Sequence, residues 1–150
     1  MTTIAANKNT IACDLQFTYG ENVKMKGASK IIEFKGPWCK QFFNAEYAYV
    51  GFAGNVNKWC EVVSWITVSV DKIPKLKGIE LLALTSNNEL FYGSGLTHWM
   101  RLERPFFAIG SGSHLALGAM EAGKSPMEAV KVAAQHDVFT GLGYKEYTIG

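Results

Sequence analysis

Thr2 follows Met1, and a threonine at a chain's amino terminus carries a nucleophile and a base on one residue. Its hydroxyl can attack an acyl carbon, and the α-amine freed by loss of Met1 can take the hydroxyl proton. That amine titrates near pKa ~8, so it is a usable base at neutral pH. A second-position threonine is common and on position alone is an inert start residue. Asp14, Lys30, Ser111 and Asp137 give this one weight.

Each of those residues has an ordinary reading as well. Asp14 follows Ile11, Ala12 and Cys13, so its carboxylate is expected to be partly buried and to need a cation. The plain alternative is an acid in a strand-end turn. Lys24, Lys26 and Lys30 form the densest basic stretch, which reads as a solvated strand edge. Gly54 stands where a strand gives way to a helix; glycine admits close approach, and a helix N-terminus favours negative charge. Gly110-Ser111-Gly112-Ser113 looks like a phosphate loop but lacks the lysine and following Ser/Thr of one. Ser111 and Ser113 would otherwise be helix N-caps. Asp137 closes a helix whose dipole opposes an acid there, which favours a functional reason.

The elements that must position these residues follow from hydrophobic period and turn signals. Thr3 to Ala6 and Thr10 to Asp14 read as strands around Asn7-Lys8-Asn9, and Gly20 to Asn22 as a turn. Ser29 to Phe34 is a strand, ended by a Gly36-Pro37 break. Tyr47 to Ala53 alternates large and small residues, as in a strand packed on both faces. Val56, Trp59, Cys60, Val63, Ile66, Thr67 and Val70 fall at helical spacing, which predicts a helix from about Asn55 to Val70, ended before Pro74 and Gly78. Ile79 to Thr85 and Glu89 to Tyr92 form a hairpin around Ser86-Asn87-Asn88, and Phe106 to Ile109 a short strand. Helices follow from about His114 to Ala122 and, opened by the capping box Ser125-Pro126-Met127-Glu128, to about Gln135. Tyr144 to Ile149 is a final strand. Strands cluster ahead of helices, which argues α+β with antiparallel sheets.

The chain has 150 residues, is 48% hydrophobic and reads as one domain, 1–150, with a sizeable core. A net charge of +2 with 19% charged residues gives no basic stripe, so no nucleic-acid partner is expected. Cys13, Cys39 and Cys60 make no CxxC pair and fit a reducing compartment. His98, His114 and His136 sit at no ligand spacing with them, so no metal site is expected. No apolar run reaches the ~20 residues of a membrane span, and no signal peptide is evident, so a cytoplasmic protein is expected.

Six segments in order resemble the proteasome β-subunit family of N-terminal-threonine hydrolases, in particular its bacterial HslV type. They are Thr2-Thr3-Ile4, Ala12-Cys13-Asp14, Met25-Lys26-Gly27 with Lys30 before Ile31, Gly51-Phe52-Ala53-Gly54, Ile109-Gly110-Ser111-Gly112, and Asp137-Val138-Phe139-Thr140-Gly141. The resemblance implies an αββα four-layer sandwich of two antiparallel sheets and a threonine peptidase. In it Thr2 attacks, Lys30 holds a positive charge beside the hydroxyl, and Asp14 holds Lys30. The N–H of Gly54 stabilises the oxyanion; Ser111 and Asp137, helped by Thr140, bind the amine. Lys26 is the competing lysine, and Lys30 is preferred because Ile31 and Ile32 fit the family's strand.

By the same resemblance, Thr18 hydrogen-bonds the substrate backbone, and Phe17, Ala28, Ile32, Phe52, Val56 and Cys60 surround an apolar specificity pocket. Apolar side chains are therefore expected on the N-terminal side of the cut bond. No cofactor is implied. The implied partners are further copies of the chain in a ring, single or stacked, an unfolded protein as substrate and an ATP-using unfoldase. Trp38, Phe42, Phe43, Trp59, Trp65 and Trp99 are candidates for packing between subunits, although core burial is the commoner fate.

Two departures from the family pattern stand out. Asp71 to Gly78 is too short for the second helix the family places there, so one outer layer is expected to lack a helix. Met1, if retained, blocks the amine. A silent ring subunit of the same fold and an amidohydrolase for small amides are the alternative readings.

Overall fold

The computed structural model describes residues 2–19, 23–68, 77–94 and 99–150, side chains excepted at 19, 56, 57 and 65–68. The first inner sheet has the order β10-β1-β2-β11, from β1 (Thr3–Asn7), β2 (Thr10–Asp14), β10 (Phe106–Gly110) and β11 (Tyr144–Thr148), all antiparallel. The second has the order β5-β6-β7-β8-β9, from β5 (Ile31–Lys35), β6 (Tyr47–Gly54), β7 (Ile79–Thr85), β8 (Leu90–Ser94) and β9 (Trp99–Leu102). A two-stranded ribbon, β3 (Gln16–Tyr19) with β4 (Val23–Lys26), stands beside them.

Strand alternation divides the core. On β7, Ile79, Leu81 and Ala83 turn toward helices, while Leu82 and Leu84 meet Ile4, Ala6 and Ile109 between the sheets. On β1, Ala5 faces outward and packs with Ala116, Ala129 and Val130 of α3 (Ser113–Glu121) and α4 (Pro126–His136). The opposite outer layer holds α1 (Pro37–Phe43) and α2 (Val56–Val68), with Phe43, Trp59 and Val62 buried against Phe34 and Phe52. The result is the expected αββα sandwich of antiparallel sheets.

The expected strands and helices form, with boundaries shifted by a residue or two, and α4 opens on the Ser125/Glu128 capping box. Gly36-Pro37 does not simply break the chain. Gly36, at φ 92°, is the N-cap of α1, and Pro37 occupies its first turn, where its missing N–H costs nothing. The helix then adds Cys39 and Phe43 to the core. The ribbon β3–β4 and edge strand β9 were also unexpected; β4, in which Val23 and Met25 alternate with Lys24 and Lys26, is exposed on both faces. Val70, Pro74 and Gly20 to Asn22 lie outside the described residues, as does Asp71–Gly78 except for Lys77 and Gly78, which form a bend.

Most of the aromatic residues named for subunit packing belong to the core. Phe43 and Trp59 are buried, and Trp99 packs edge-on to Phe43 at 4.8 Å. Trp38 and Phe42 stack on each other at 5.7 Å, half-buried. The side chain of Trp65 lies outside the described residues.

Candidate active site

The β1–β2 hairpin creates the first contact. Its register pairs Ile4 with Cys13, so Asp14 lies across from Thr3, one step from Thr2. The Thr2 hydroxyl donates to Asp14 Oδ1, which also accepts from the Thr3 N–H at 3.2 Å. The second carboxylate oxygen accepts from the N–H groups of Gln16, at 3.2 Å, and Gly141, at 3.0 Å. A fully buried carboxylate is tolerable only with such a complement of donors.

Lys30 supplies the cation. It precedes β5 and is 2% exposed, and its Nζ donates to Asp14 Oδ1 at 3.0 Å, to the Gln16 carbonyl at 2.5 Å and to Thr2 Oγ1. Those are the three donors an ammonium has. The Phe17 ring lies 5.0 Å from Nζ. Burial pushes the Lys30 ammonium below the ordinary lysine value, and Asp14 opposes that shift. Lys26, the competing lysine, is exposed on β4. A solvated edge therefore describes Lys24 and Lys26 but not Lys30.

A second cluster adjoins Thr2 from the other side. The Ser111 hydroxyl donates to Asp137 Oδ2 at 2.5 Å and reaches the Thr2 carbonyl at 3.4 Å. The Thr140 hydroxyl donates to the same Asp137 oxygen at 2.6 Å and meets Thr3 Oγ1 at 2.9 Å, while the Phe139 N–H donates to Asp137 Oδ1 at 3.2 Å. Burial raises the Asp137 carboxyl, but the Ser111, Thr140 and Phe139 bonds outweigh it, and the net shift is downward. Neither serine caps a helix here. Gly112 is the N-cap of α3 and makes no side-chain cap bond.

Backbone geometry seals the region. Gly110, at φ +97°, lies so close to Thr2 that a Cβ would stand 2.0 Å from the Thr2 carbonyl oxygen. A groove of about 400 Å³ opens beside it, walled by Ala53–Gly54, Gly78–Glu80, Ser94 and Gly110–Ser111. Gly54 thus lies on the same groove as Ser111.

The expected pocket residues are less unified. Phe17 and Phe52 are 6.5 Å apart, and both pack with Ile32 against the core under α2. Phe52 is 2% exposed and stacks on Trp59 at 4.2 Å, because its place on β6 turns it to the helical layer; it is a core residue, not an open wall. Ala28 and Cys60 are exposed. Thr18 is half-buried and accepts from Gln16 Nε2 at 3.2 Å. The Val56 side chain lies outside the described residues. Sequence reasoning missed Gln16, which holds Lys30 through its carbonyl and the Val138 carbonyl, at 2.8 Å, through its amide. No composition or spacing signal marks it.

Among the described residues no cluster of His, Cys, Asp and Glu could hold a metal, and no helix is long and apolar enough to cross a membrane.

The αββα sandwich, with a buried threonine ahead of its first inner strand, has the proteasome-like N-terminal-nucleophile fold. Three solved structures carry the likeness. BPH of Thiobacillus denitrificans in complex with epoxomicin is 20% identical at TM-score 0.71, over 98% of this chain and 96% of that one. Eukaryotic HslV from Trypanosoma brucei is 21% identical at 0.64, over 97% and 98%. The Anbu (Gly-1) mutant from Hyphomicrobium sp. strain MC1 is 12% identical at 0.72, over 99% and 81%. No protein-family profile and no curated protein matches the sequence.

Proposed function

We propose that this chain is a threonine-type peptidase, active after loss of Met1 and working as one subunit of a ring-shaped, self-compartmentalised cytoplasmic assembly. The observation that carries the reading is the Thr2 hydroxyl held between the Lys30 ammonium and the Asp14 carboxylate, all three shut from solvent. Thr2 Oγ adds to a peptide carbonyl carbon as its proton passes to the freed amine. The amine then gives that proton to the leaving nitrogen, the C–N bond breaks, and water hydrolyses the ester. Lys30 lowers the cost of charge on the hydroxyl oxygen. Ser111, which reaches the Thr2 carbonyl, and its partner Asp137 are assigned to steady the protonated form of the amine.

Gly54 suits the oxyanion. Phe52 N–H donates to the Lys30 carbonyl and Asn55 N–H to the Gly78 carbonyl, so alternation along β6 turns the Gly54 N–H to the β5 side, beyond the start of β5. A donor aimed at the developing charge contributes about 3–4 kcal/mol to the barrier. A peptidase of this kind would cut any chain that reached its nucleophile, which favours a chamber, unfolded polypeptide as substrate and an unfoldase as partner.

The test is intact mass after exposure to an epoxyketone of the epoxomicin type. Loss of Met1 with one adduct, absent in Thr2→Ala, is expected. A retained Met1 together with full peptide turnover refutes the mechanism; small-amide hydrolysis without peptide turnover favours an amidohydrolase. Electron microscopy of the purified protein tests the ring.

A further inference from the structure

Glu80 is an acid where its strand should be apolar. The run Ile79–Thr85 is otherwise buried, and the alternation that sends Leu82 and Leu84 between the sheets turns Glu80 the same way. It is half-buried, opposite Ala53 on β6 and Ser94 on β8, on the groove that Gly110 and Ser111 close. Tyr92 donates its hydroxyl to Glu80 Oε2 at 2.9 Å. Burial, reinforced by Glu80, pushes the Tyr92 phenol above its ordinary value, so it keeps that proton. Among the described residues Glu80 enters no ion pair, although six other carboxylates on the surface or in the core do so with lysine or arginine. A fixed carboxylate with one neutral donor, facing a groove, is set to receive a cation.

The side of the groove follows from proton traffic. The group that protonates the leaving nitrogen must face it. In the peptidase reading that group is the freed amine of Thr2, and Ser111, whose hydroxyl reaches the Thr2 carbonyl at 3.4 Å, is a wall of this groove. We propose that the groove binds the substrate segment released as the leaving group, and that Glu80 selects lysine or arginine in its first few residues. This rests on the peptidase reading and adds its specificity. The volume of about 400 Å³ falls within the ~300–1,000 Å³ usual for a binding site.

The experiment uses the Met1-free assembly and internally quenched peptides identical up to the cut bond, with lysine, glutamine or glutamate placed in turn at each of the first three positions after it. The readout is the lysine-over-glutamate ratio of kcat/KM within each variant, which absolute rate does not affect. A preference of about tenfold is expected at one position, carried mainly in KM and weakening with added salt. Glu80→Gln should abolish it, and Glu80→Lys should invert it. An unchanged ratio in Glu80→Gln overturns the selectivity alone, leaving the peptidase reading intact. No cleavage of any peptide by the parent assembly sinks both.

Discussion

The Lys30 ammonium and the Asp14 carboxylate meet at 3.0 Å, with 2% and 0% of their side chains exposed. Desolvating two charges is costly, and their attraction offsets it only when the remaining donors and acceptors are also occupied. Here they are: Gln16 and Thr2 complete the lysine, and Thr2, Thr3, Gln16 and Gly141 complete the aspartate. The pair is therefore a fixed electrostatic frame around one hydroxyl.

Removing one member should be costly. Lys30→Met leaves a buried carboxylate without its cation, and a loss of about 3–5 kcal/mol is expected in denaturant unfolding. Lys30→Met with Asp14→Asn should be milder than the single change. A single variant as stable as the parent contradicts the buried pair.

Lys30 also sets the alkaline behaviour. Its folded-state pKa lies below the ordinary 10.5, so the folded chain binds fewer protons than the unfolded one between those two values. Its contribution to stability therefore rises with pH across that window, while activity falls as the ammonium is lost. A plot of kcat/KM against pH should bend downward below 10.5, and Lys30→Arg should move that limb upward. An identical limb in the arginine variant refutes the assignment.

Asp137 acts at the other end of the scale. Its carboxyl is held below the ordinary 3.8, so its contribution is present above that value and fades as pH falls through the folded one. Asp137→Asn should flatten the acid limb of a stability profile and, with the amine less well held, lower kcat more than it raises KM.

Gly110 tests the backbone. Gly110→Ala forces a Cβ to 2.0 Å from the Thr2 carbonyl oxygen at a positive φ. A stability loss of about 1–3 kcal/mol is expected, together with a fall in kcat from the displaced nucleophile. Gly118→Ala, where nothing stands within 4 Å, is the control in thermal unfolding.

Phe17 bears on selectivity for the acyl side. Its ring packs on Gly27 and reaches toward Phe52, in the space the family resemblance implies for a pocket. Phe17→Ala should raise kcat/KM for large apolar residues before the cut bond relative to alanine, read in a peptide panel. An unchanged ranking would show that the pocket lies elsewhere.

Much of this was legible in residue pattern because local rules agreed with the tertiary outcome. The hairpin Thr3 to Asp14 could be read from alternation and its Asn7-Lys8-Asn9 turn, and that reading already brings Thr2 near Asp14. The choice of Lys30 over Lys26 was not local. It depends on which lysine the chain turns inward after the β3–β4 ribbon, and the alternation Val23-Lys24-Met25-Lys26 does not say which. Helix α1 was hidden because Pro37 reads as a breaker until its place in the first turn is known. Glu80 left a signal that could have been used: one acid, at an inward position, in a strand otherwise apolar. The packing of Phe17 and Phe52 was beyond reach, since a residue beside a pocket and one buried behind it have the same composition.

Strand β11 lies along β2, and the Gly141 N–H grips Asp14 across 127 positions of sequence. During synthesis, Thr2 emerges long before that grip can form. A half-made chain therefore holds Thr2 and Asp14 without their finished surroundings, which are completed only when the distant end of the polypeptide has emerged and docked.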